Sequence, residues 1–416
     1  MKYYFIGIGG IGISAVAQYF KSQGHDVYGS DLVESEITQL LKEKGISVFL
    51  NQNKENIDQV KPDIVAFSPA VNPDNPEYIQ AQELGIVCKT SPELLGEITK
   101  EYFTIAVCGS HGKSTTAAMA ALMLENSDLD PTVIIGTKLK EFGNTNFRAG
   151  KSKYLIIEAD EYKRSFLNHW PQIVILTNIE IDHLDYFKDL ADLNSAYHDF
   201  ISHLPEDGYL ILNQSIENDF GVKNCINYSN QIKLDLKVPG DYNQENANAV
   251  LKLAEILDIS KELAIKSLEN YQGAWRRLEE KEMNIEGKII IHISDYGHHP
   301  TQLIETVKGI RQKYPDKFLT CVFQPHQYKR TLFFHEEFKK NLSLCKELSN
   351  EFILTDIYDV AGREDQIAKS QINSRILAEE AGVKYVPQAE IREYLKDNLQ
   401  DGQVLLIMSA GDFYTL

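Results

Sequence analysis

The chain has 416 residues, 43% hydrophobic and 25% charged; that is more than one hydrophobic core usually supports, so two or three globular domains are expected. Its 42 lysines and arginines against 60 aspartates and glutamates leave a formal charge of −18, which excludes the basic footprint of a nucleic-acid binder but not phosphorylated small molecules held by backbone dipoles and a few cations. The sequence has no apolar run long enough to span a membrane, and its five scattered cysteines lack a CxxC pair, as expected of reduced thiols in a cytoplasmic protein.

In chain order, the N-terminal "MKYYFIGIGGIG" enters a glycine loop without the apolar core and cleavage site of a signal peptide. Apolar runs of strand length follow: "YYFIGIG", "DIVAFSP", "FTIAVCG", "YLIIEAD", "IVILTNI", "YLILNQ", "KIIIHIS", "FLTCVFQ", "FILTDIY" and "VLLIMSAG". Helical patterns, such as 115–125 and 246–257, separate them. Many of the runs are continuous rather than alternating, which predicts parallel strands covered on both faces and a doubly wound α/β fold. Three domains are expected: 1–101, 102–273 and 274–416. The first boundary follows "PELLGEITKEY", and the second falls where Gly273 interrupts "LENYQGAWRRLE".

"FIGIGGIG" sets Gly7, Gly9, Gly10 and Gly12 between a strand and a helix. Gly7 permits a tight turn, Gly9 a close approach to a pyrophosphate, and Gly12 close helix–sheet packing. Asp31 ends the next strand, where an acidic group takes ribose hydroxyls. The motif reads as a nucleotide-diphosphate site and does not separate NAD, FAD or another nucleotide. A nicotinamide oxidoreductase would need only this loop.

"FTIAVCGSHGKSTTAAMAALML" is strand, glycine loop, then helix. Gly109, Ser110, His111, Gly112 and Thr115 frame a short phosphate loop. Lys113 is placed to reach the β/γ oxygens of ATP, and the Ser114 hydroxyl to ligate Mg²⁺. Two further strands end in carboxylates: Glu158, Asp160 and Glu161 on one, and Glu180, Asp182 and Asp185, with Asn178 and His183, on the other. Acidic groups at such strand ends can hold Mg²⁺. Two phosphate loops of different kinds point to ATP plus a nucleotide-linked substrate.

The motifs "GSHGKSTT", "EADE", "TNIEIDHLD", "SDYGHHPT" and "FQPHQYKRT", followed by the closing "SAGD", resemble the Mur ligases over essentially the whole chain. The resemblance implies a Rossmann-like N-terminal domain for the UDP-sugar, a P-loop ATPase central domain, and a Rossmann-like C-terminal domain for the amino acid. It implies that ATP and Mg²⁺ serve to join L-alanine to the carboxylate of UDP-N-acetylmuramate through an acyl phosphate. Another amino acid or a recycled peptide is the alternative. It also implies a cytoplasmic monomer or homodimer in cell-wall precursor synthesis, with small-molecule partners and neither nucleic acid nor membrane.

Position by position, the resemblance gives Glu161 and His183 to metal, with His183, His298 and Arg330 joining Lys113 in catalysis. It gives Asn243 to adenine, Arg276 and Arg277 to the hinge beside the nucleotide, and Asp295 to the ATP ribose. Tyr296, His298 and Arg330 surround the amino acid and the reacting carboxylate, and Ser68 and Ala70 lie near the uridine. Departures are local. Tyr242 replaces a histidine, Tyr162 is closer to the peptide-recycling branch, and Gln327 stands where the alanine-adding branch carries arginine, with Lys329 new. His299 reads as structural, His326 equally as loop cap or substrate contact, and Lys163 and Arg164 as surface charges.

Overall fold

The structure is a computed structural model and describes residues 1–359, 366–411 and 413–415; Asp412 of "SAGD" lies outside the described residues. Met1–Glu180, Leu190–Gln231 and Asn246–Leu268 form one compact unit. Ile181–Asp189, Ile232–Glu245 and Glu269–Leu416 form the other. The segments 181–189 and 232–245, inside the stretch assigned to the middle domain, thus group with the C-terminal chain. Ile181, Leu184 and Tyr242 pack on the cluster around Phe323.

The first unit holds two sheets. The N-terminal one runs Ser47–Phe49, Asp26–Ser30, Lys2–Ile6, Ile64–Phe67, Val87–Thr90 in space, all parallel. Strand order reverses beside Lys2–Ile6, the switch point where open α/β sheets bind ligands. The second sheet is ordered Asn224–Tyr228, Tyr209–Asn213, Ile173–Leu176, Phe103–Cys108, Tyr154–Glu158, Thr132–Leu139, Thr145–Arg148. Only its last pair is antiparallel. Phe103–Cys108 lies between the strands that end in "EADE" and "TNIE", so the phosphate loop and both acidic segments emerge from neighbouring strand ends.

The third sheet is ordered Glu279–Ile285, Lys288–Asp295, Val404–Ser409, Leu319–Gln324, Glu351–Leu354, Lys384–Tyr385. Its first two strands form a hairpin through Glu286 (φ 53°) and Gly287 (φ 87°), the paired positive φ values a two-residue turn of matching twist requires. The other pairs are parallel. Side chains alternate between two cores. Cys321 and Phe323 join Ile293, Leu406 and Met408 on one face, while Val322 joins Ile290, Leu405 and Ile407 on the other. The pleat of period two and helices on both faces explain why these strands read as unbroken apolar runs. "SDYGHHP", "SAG" and "QPHQYKR" leave the same end of three neighbouring strands.

Candidate active site

The first glycine loop turns at Gly7 (φ 74°), and the helix Ile11–Ser22 begins after Gly10. Asp31 faces the loop rather than open space. It accepts the Gly9 amide at 2.8 Å and the Val33 amide at 3.2 Å. A Cβ on Gly9 would come within 2.7 Å of the Asp31 carboxylate, so a side chain there would displace Asp31 from the loop. The packing role expected of Gly12 is corrected: a Cβ there would meet nothing within 4 Å, whereas a Cβ on Gly29 would lie 2.5 Å from the Phe5 carbonyl. Ser68 follows the neighbouring strand, and its hydroxyl accepts the Ala70 amide at 3.3 Å.

The phosphate loop is braced by residues 177–180. Asn178 Oδ1 receives the His111 amide at 2.8 Å, Thr177 Oγ1 donates to the His111 carbonyl at 2.6 Å, and Ser110 Oγ donates to the Glu180 carbonyl at 2.6 Å. Gly109 has φ 131°, and a Cβ there would lie 2.0 Å from Thr177 Oγ1, which leaves no room for a side chain. The helix Lys113–Asn126 starts at Gly112, directing its first amides and the positive end of its dipole into the loop; Thr115 is half-buried in its first turn. Lys113 Nζ donates to Gly109 O at 2.7 Å and pairs with Glu161 at 2.7 Å. Burial opposes its charge, but Glu161, Asp160 and Glu158 outweigh burial and hold its pKa above the ordinary lysine value. Ser114 Oγ donates to Glu158 at 2.9 and 3.0 Å, and Glu158 also accepts the Gly136 amide at 2.9 Å.

In the other unit, buried Arg330 is held by Asp182, with Nε at 3.1 Å and Nη2 at 2.5 Å from Oδ1. Arg330 Nη1 lies 2.9 Å from His326 Nδ1, and His298 Nε2 lies 3.7 Å from Asp182 Oδ2. Despite burial, the Arg330 guanidinium and the neighbouring histidines keep the Asp182 carboxyl well below the usual carboxylate range. Burial, aided by Arg330, pushes His298 down to about 4, so its ring is neutral at pH 7. Its Nδ1 lies 3.1 Å from the Tyr296 carbonyl, the acceptor that assigns the proton to Nδ1. His326 stacks on Tyr358 with centroids 5.7 Å apart. Gln327, at φ 68°, precedes the helix Tyr328–Phe333 and is buried. His183, at φ 52°, accepts the Tyr186 and Phe187 amides through its carbonyl.

Arg276, Arg277, Asp295 and Tyr296 gather nearby. Arg276 donates to the Ser409 and Gly411 carbonyls at 2.6 Å, and both arginines lie 4.9 Å from the Tyr296 ring centre. Asp295 accepts the Leu278 and Gly297 amides at 3.1 and 2.8 Å. Asn243 donates to the Pro239 carbonyl at 2.6 Å. His299 caps the helix Pro300–Lys313 through Thr301 N.

Family models match the chain along its length: "Mur ligase family, catalytic domain" over residues 2–103, "Mur ligase middle domain" over 107–227, and "Mur ligase, glutamate ligase domain" over 276–411. A UDP-N-acetylmuramate–L-alanine ligase of Alkaliphilus metalliredigens is 35% identical, covering 99% of this chain and 95% of that protein. The chain belongs to the Mur ligase family. The enzyme of the same description from Acetivibrio thermocellus is 38% identical over 99% of this chain and 93% of its own length. The crystal structure of the UDP-N-acetylmuramate–alanine ligase of Thermotoga maritima superposes with a TM-score of 0.82 at 26% identity, covering 99% of this chain and 96% of that one. As in the sequence expectation, this Mur ligase is α/β throughout, with three sheets.

Three pairings were missed by sequence reasoning, which read Glu158 and Asp182 only as acidic groups able to hold Mg²⁺ and gave Thr177 no role. Glu158 takes the Ser114 hydroxyl, Thr177 shapes Gly109, and Asp182 holds Arg330. Each sits at a strand end in a motif already singled out, which was the available signal. Arg164, read as a surface charge, bonds Asp192 at 2.7 Å and Asp199 at 3.3 Å. Among the described residues, no helix is long and apolar enough to cross a membrane.

Proposed function

We infer that this Mur ligase joins L-alanine to the carboxylate of UDP-N-acetylmuramate at the expense of ATP, a step in peptidoglycan precursor synthesis. The observation that carries the reading is one chain bearing a sugar-nucleotide-type glycine loop, a Gly-Lys-Ser phosphate loop and an arginine-centred carboxylate site, with alanine-adding relatives matched end to end. We assign residues 1–101 to the UDP-sugar, 102–273 to ATP and 274–416 to the amino acid. We place the enzyme in the cytoplasm, where both nucleotides are made.

A muramyl carboxylate oxygen attacks the γ-phosphorus of ATP, the bond to the β-phosphate oxygen breaks, and ADP leaves. The amine nitrogen of alanine attacks the acyl carbon, giving a tetrahedral intermediate. That intermediate expels phosphate, and the amine loses a proton. Lys113 and the amides of 110–114 hold the phosphates that carry charge during transfer. Lys113 first exchanges Glu161 for a phosphate oxygen. Arg330 meets the amino-acid carboxylate or the acyl phosphate. His298, neutral at pH 7 with Nε2 3.7 Å from Asp182, is the residue assigned to meet the attacking amine.

The Ser114 hydroxyl and the Glu158 and Glu161 carboxylates are hard oxygen donors beside the loop, a set that fits Mg²⁺. Of the residues that the family resemblance gives to metal, Ser114 and Glu161 lie in this unit and are the ones assigned to hold it. Bound there, the ion would neutralise charge on the transferring phosphoryl group.

The test is phosphate release with a panel of amino acids. Release should require ATP, UDP-N-acetylmuramate and L-alanine together, with the alanyl product confirmed by mass. Absence of coupled release with all twenty amino acids and with the recycling tripeptide overturns the reading. Gln327 makes the panel necessary, because an amide and a guanidinium differ in charge and in bidentate grip on a carboxylate.

A further inference from the structure

One exposed cation bridges the two phosphate loops of the first unit. The turn after strand Ile64–Phe67 lies against the first loop: a Cβ on Gly7 would be 3.7 Å from Ser68 Cβ and 3.6 Å from the Val71 side chain. Pro69 in that turn accepts a hydrogen bond from Lys163 Nζ at 2.8 Å. Lys163 stands two residues after Glu161, which itself holds Lys113 of the second loop at 2.7 Å. The path runs from the first loop through Ser68 and Pro69 to Lys163, and on through Glu161 to Lys113.

The backbone that delivers Lys163 is strained. Lys163 (φ 51°) and Arg164 (φ 55°) are consecutive non-glycine residues in the left-handed region, a conformation that side chains with a Cβ disfavour. Local contacts hold the bend. The Arg164 amide donates to the Glu161 carbonyl at 2.8 Å and the Phe166 amide to the Asp160 carbonyl at 3.0 Å, while the Arg164 guanidinium grips Asp192 and Asp199. A single exposed hydrogen bond from Lys163 to a carbonyl is too weak to account for two consecutive strained residues. In a chain of net charge −18, Lys163 pairs with a neutral carbonyl and a tyrosine ring. Two of its three N–H donors and its full charge are available to a ligand.

We propose that Lys163 is a substrate-binding residue, whose ammonium takes an anionic oxygen group of the sugar nucleotide where that substrate passes from the first loop toward the second. This rests on the functional reading above. The group is either the diphosphate or the muramyl carboxylate, and the two are separable. Because the side chain is exposed, its replacement leaves the core untouched.

The experiment compares the full-length wild type with Lys163→Met and Lys163→Arg. Phosphate release gives KM for UDP-N-acetylmuramate, ATP and L-alanine, and calorimetry gives Kd for UDP-N-acetylmuramate and for UDP-N-acetylglucosamine, which lacks the carboxylate. Lys163→Met should raise KM and Kd for UDP-N-acetylmuramate about tenfold, the worth of one charge-assisted hydrogen bond, with the KM values for ATP and alanine unchanged. Lys163→Arg should restore most of the affinity. Equal weakening of both sugar nucleotides places the ammonium on the diphosphate; weakening of the muramyl compound alone places it on the carboxylate. Unchanged affinity for both in Lys163→Met, or a parallel rise in the KM for ATP, overturns the proposal. A wild type without alanine-dependent phosphate release would fault the functional reading instead, and the calorimetric comparison would still decide Lys163.

Discussion

Lys113, half-buried, and Arg330, buried, are both cations beyond the carboxyl ends of parallel strands, each paired most closely with one carboxylate, Glu161 and Asp182, yet they are held differently. Lys113 meets Glu161 through a single nitrogen and backs onto the carbonyl of Gly109. Arg330 presents two nitrogens to one oxygen of Asp182 and a third to His326. An ammonium is a compact point charge that swaps partners without reorienting, whereas a guanidinium fork fixes direction. Under the proposed function, this is what lets the lysine exchange a protein carboxylate for a phosphate. The arginine site is built to keep its carboxylate and offer a fixed face to a ligand.

The largest effect should come from Lys113→Ala. Turnover should fall about 10³-fold or more, while UDP-N-acetylmuramate binding by calorimetry stays nearly intact. Loss of both in a folded variant would break the assignment of separate domains. Next is Asp182→Ala, which strands a buried guanidinium and should cost about 3 kcal/mol in urea unfolding. Removing both charges, with Asp182→Leu and Arg330→Met, should recover most of that stability but no activity. Glu161→Gln should destabilise less than Asp182→Ala, because Lys113 keeps its carbonyl partner. A larger loss at Glu161 would reverse the contrast.

Acid should weaken both units. His169 in the first and His292 in the second are buried with neither ring nitrogen hydrogen-bonded. Burial, with His203 as a minor contributor, pushes His169 down to about 3; burial and then Lys281 push His292 down to about 4. Their folded pKa values lie below the unfolded value near 6.5, so the unfolded chain binds the extra protons. Stability is complete above about pH 6.5 and declines as pH falls, by about 2 kcal/mol per histidine at pH 5. Thermal melts between pH 7.5 and 5 check this, and His169→Phe should flatten the decline. Asp182 behaves otherwise: its folded pKa is depressed, so its contribution survives to about pH 4 and fades only below.

The smallest effect expected is a gain. Gln327→Gly relieves a left-handed φ of 68° and should stabilise by about 1 kcal/mol, visible as a higher Tm with a lower kcat/KM for the amino acid. A lower Tm would mean that the glutamine side chain, rather than the backbone, sustains the Arg330 corner.

Much of this was legible in the sequence because strands buried on both faces read as apolar runs, and the candidate site residues follow their carboxyl ends. "FTIAVCG" with "GKS" and "FLTCVFQ" with "PHQYKR" are cases where the run and its motif adjoin. What stayed hidden depends on contacts between distant residues. Asp182 and Arg330 stand 148 positions apart, and Lys163 and Pro69 stand 94 apart; no local pattern encodes either pairing. Short strands such as Lys384–Tyr385 carry too few residues for a periodicity. Glycine in a fingerprint also misleads about its reason: Gly12 fits the spacing but no neighbour needs its missing side chain.

The hairpin strand Glu279–Ile285 forms one edge of the third sheet. It reads "EEKEMNI", half-buried at Glu280 and exposed at Lys281 and Glu282, with Lys313 drawn to Glu280 at 2.7 Å. A sheet whose other strands are greasy would be a template for further strands from neighbouring molecules. Here an incoming strand would have to strip water from a row of charges before gaining a single backbone hydrogen bond. That edge is a barrier to runaway sheet growth.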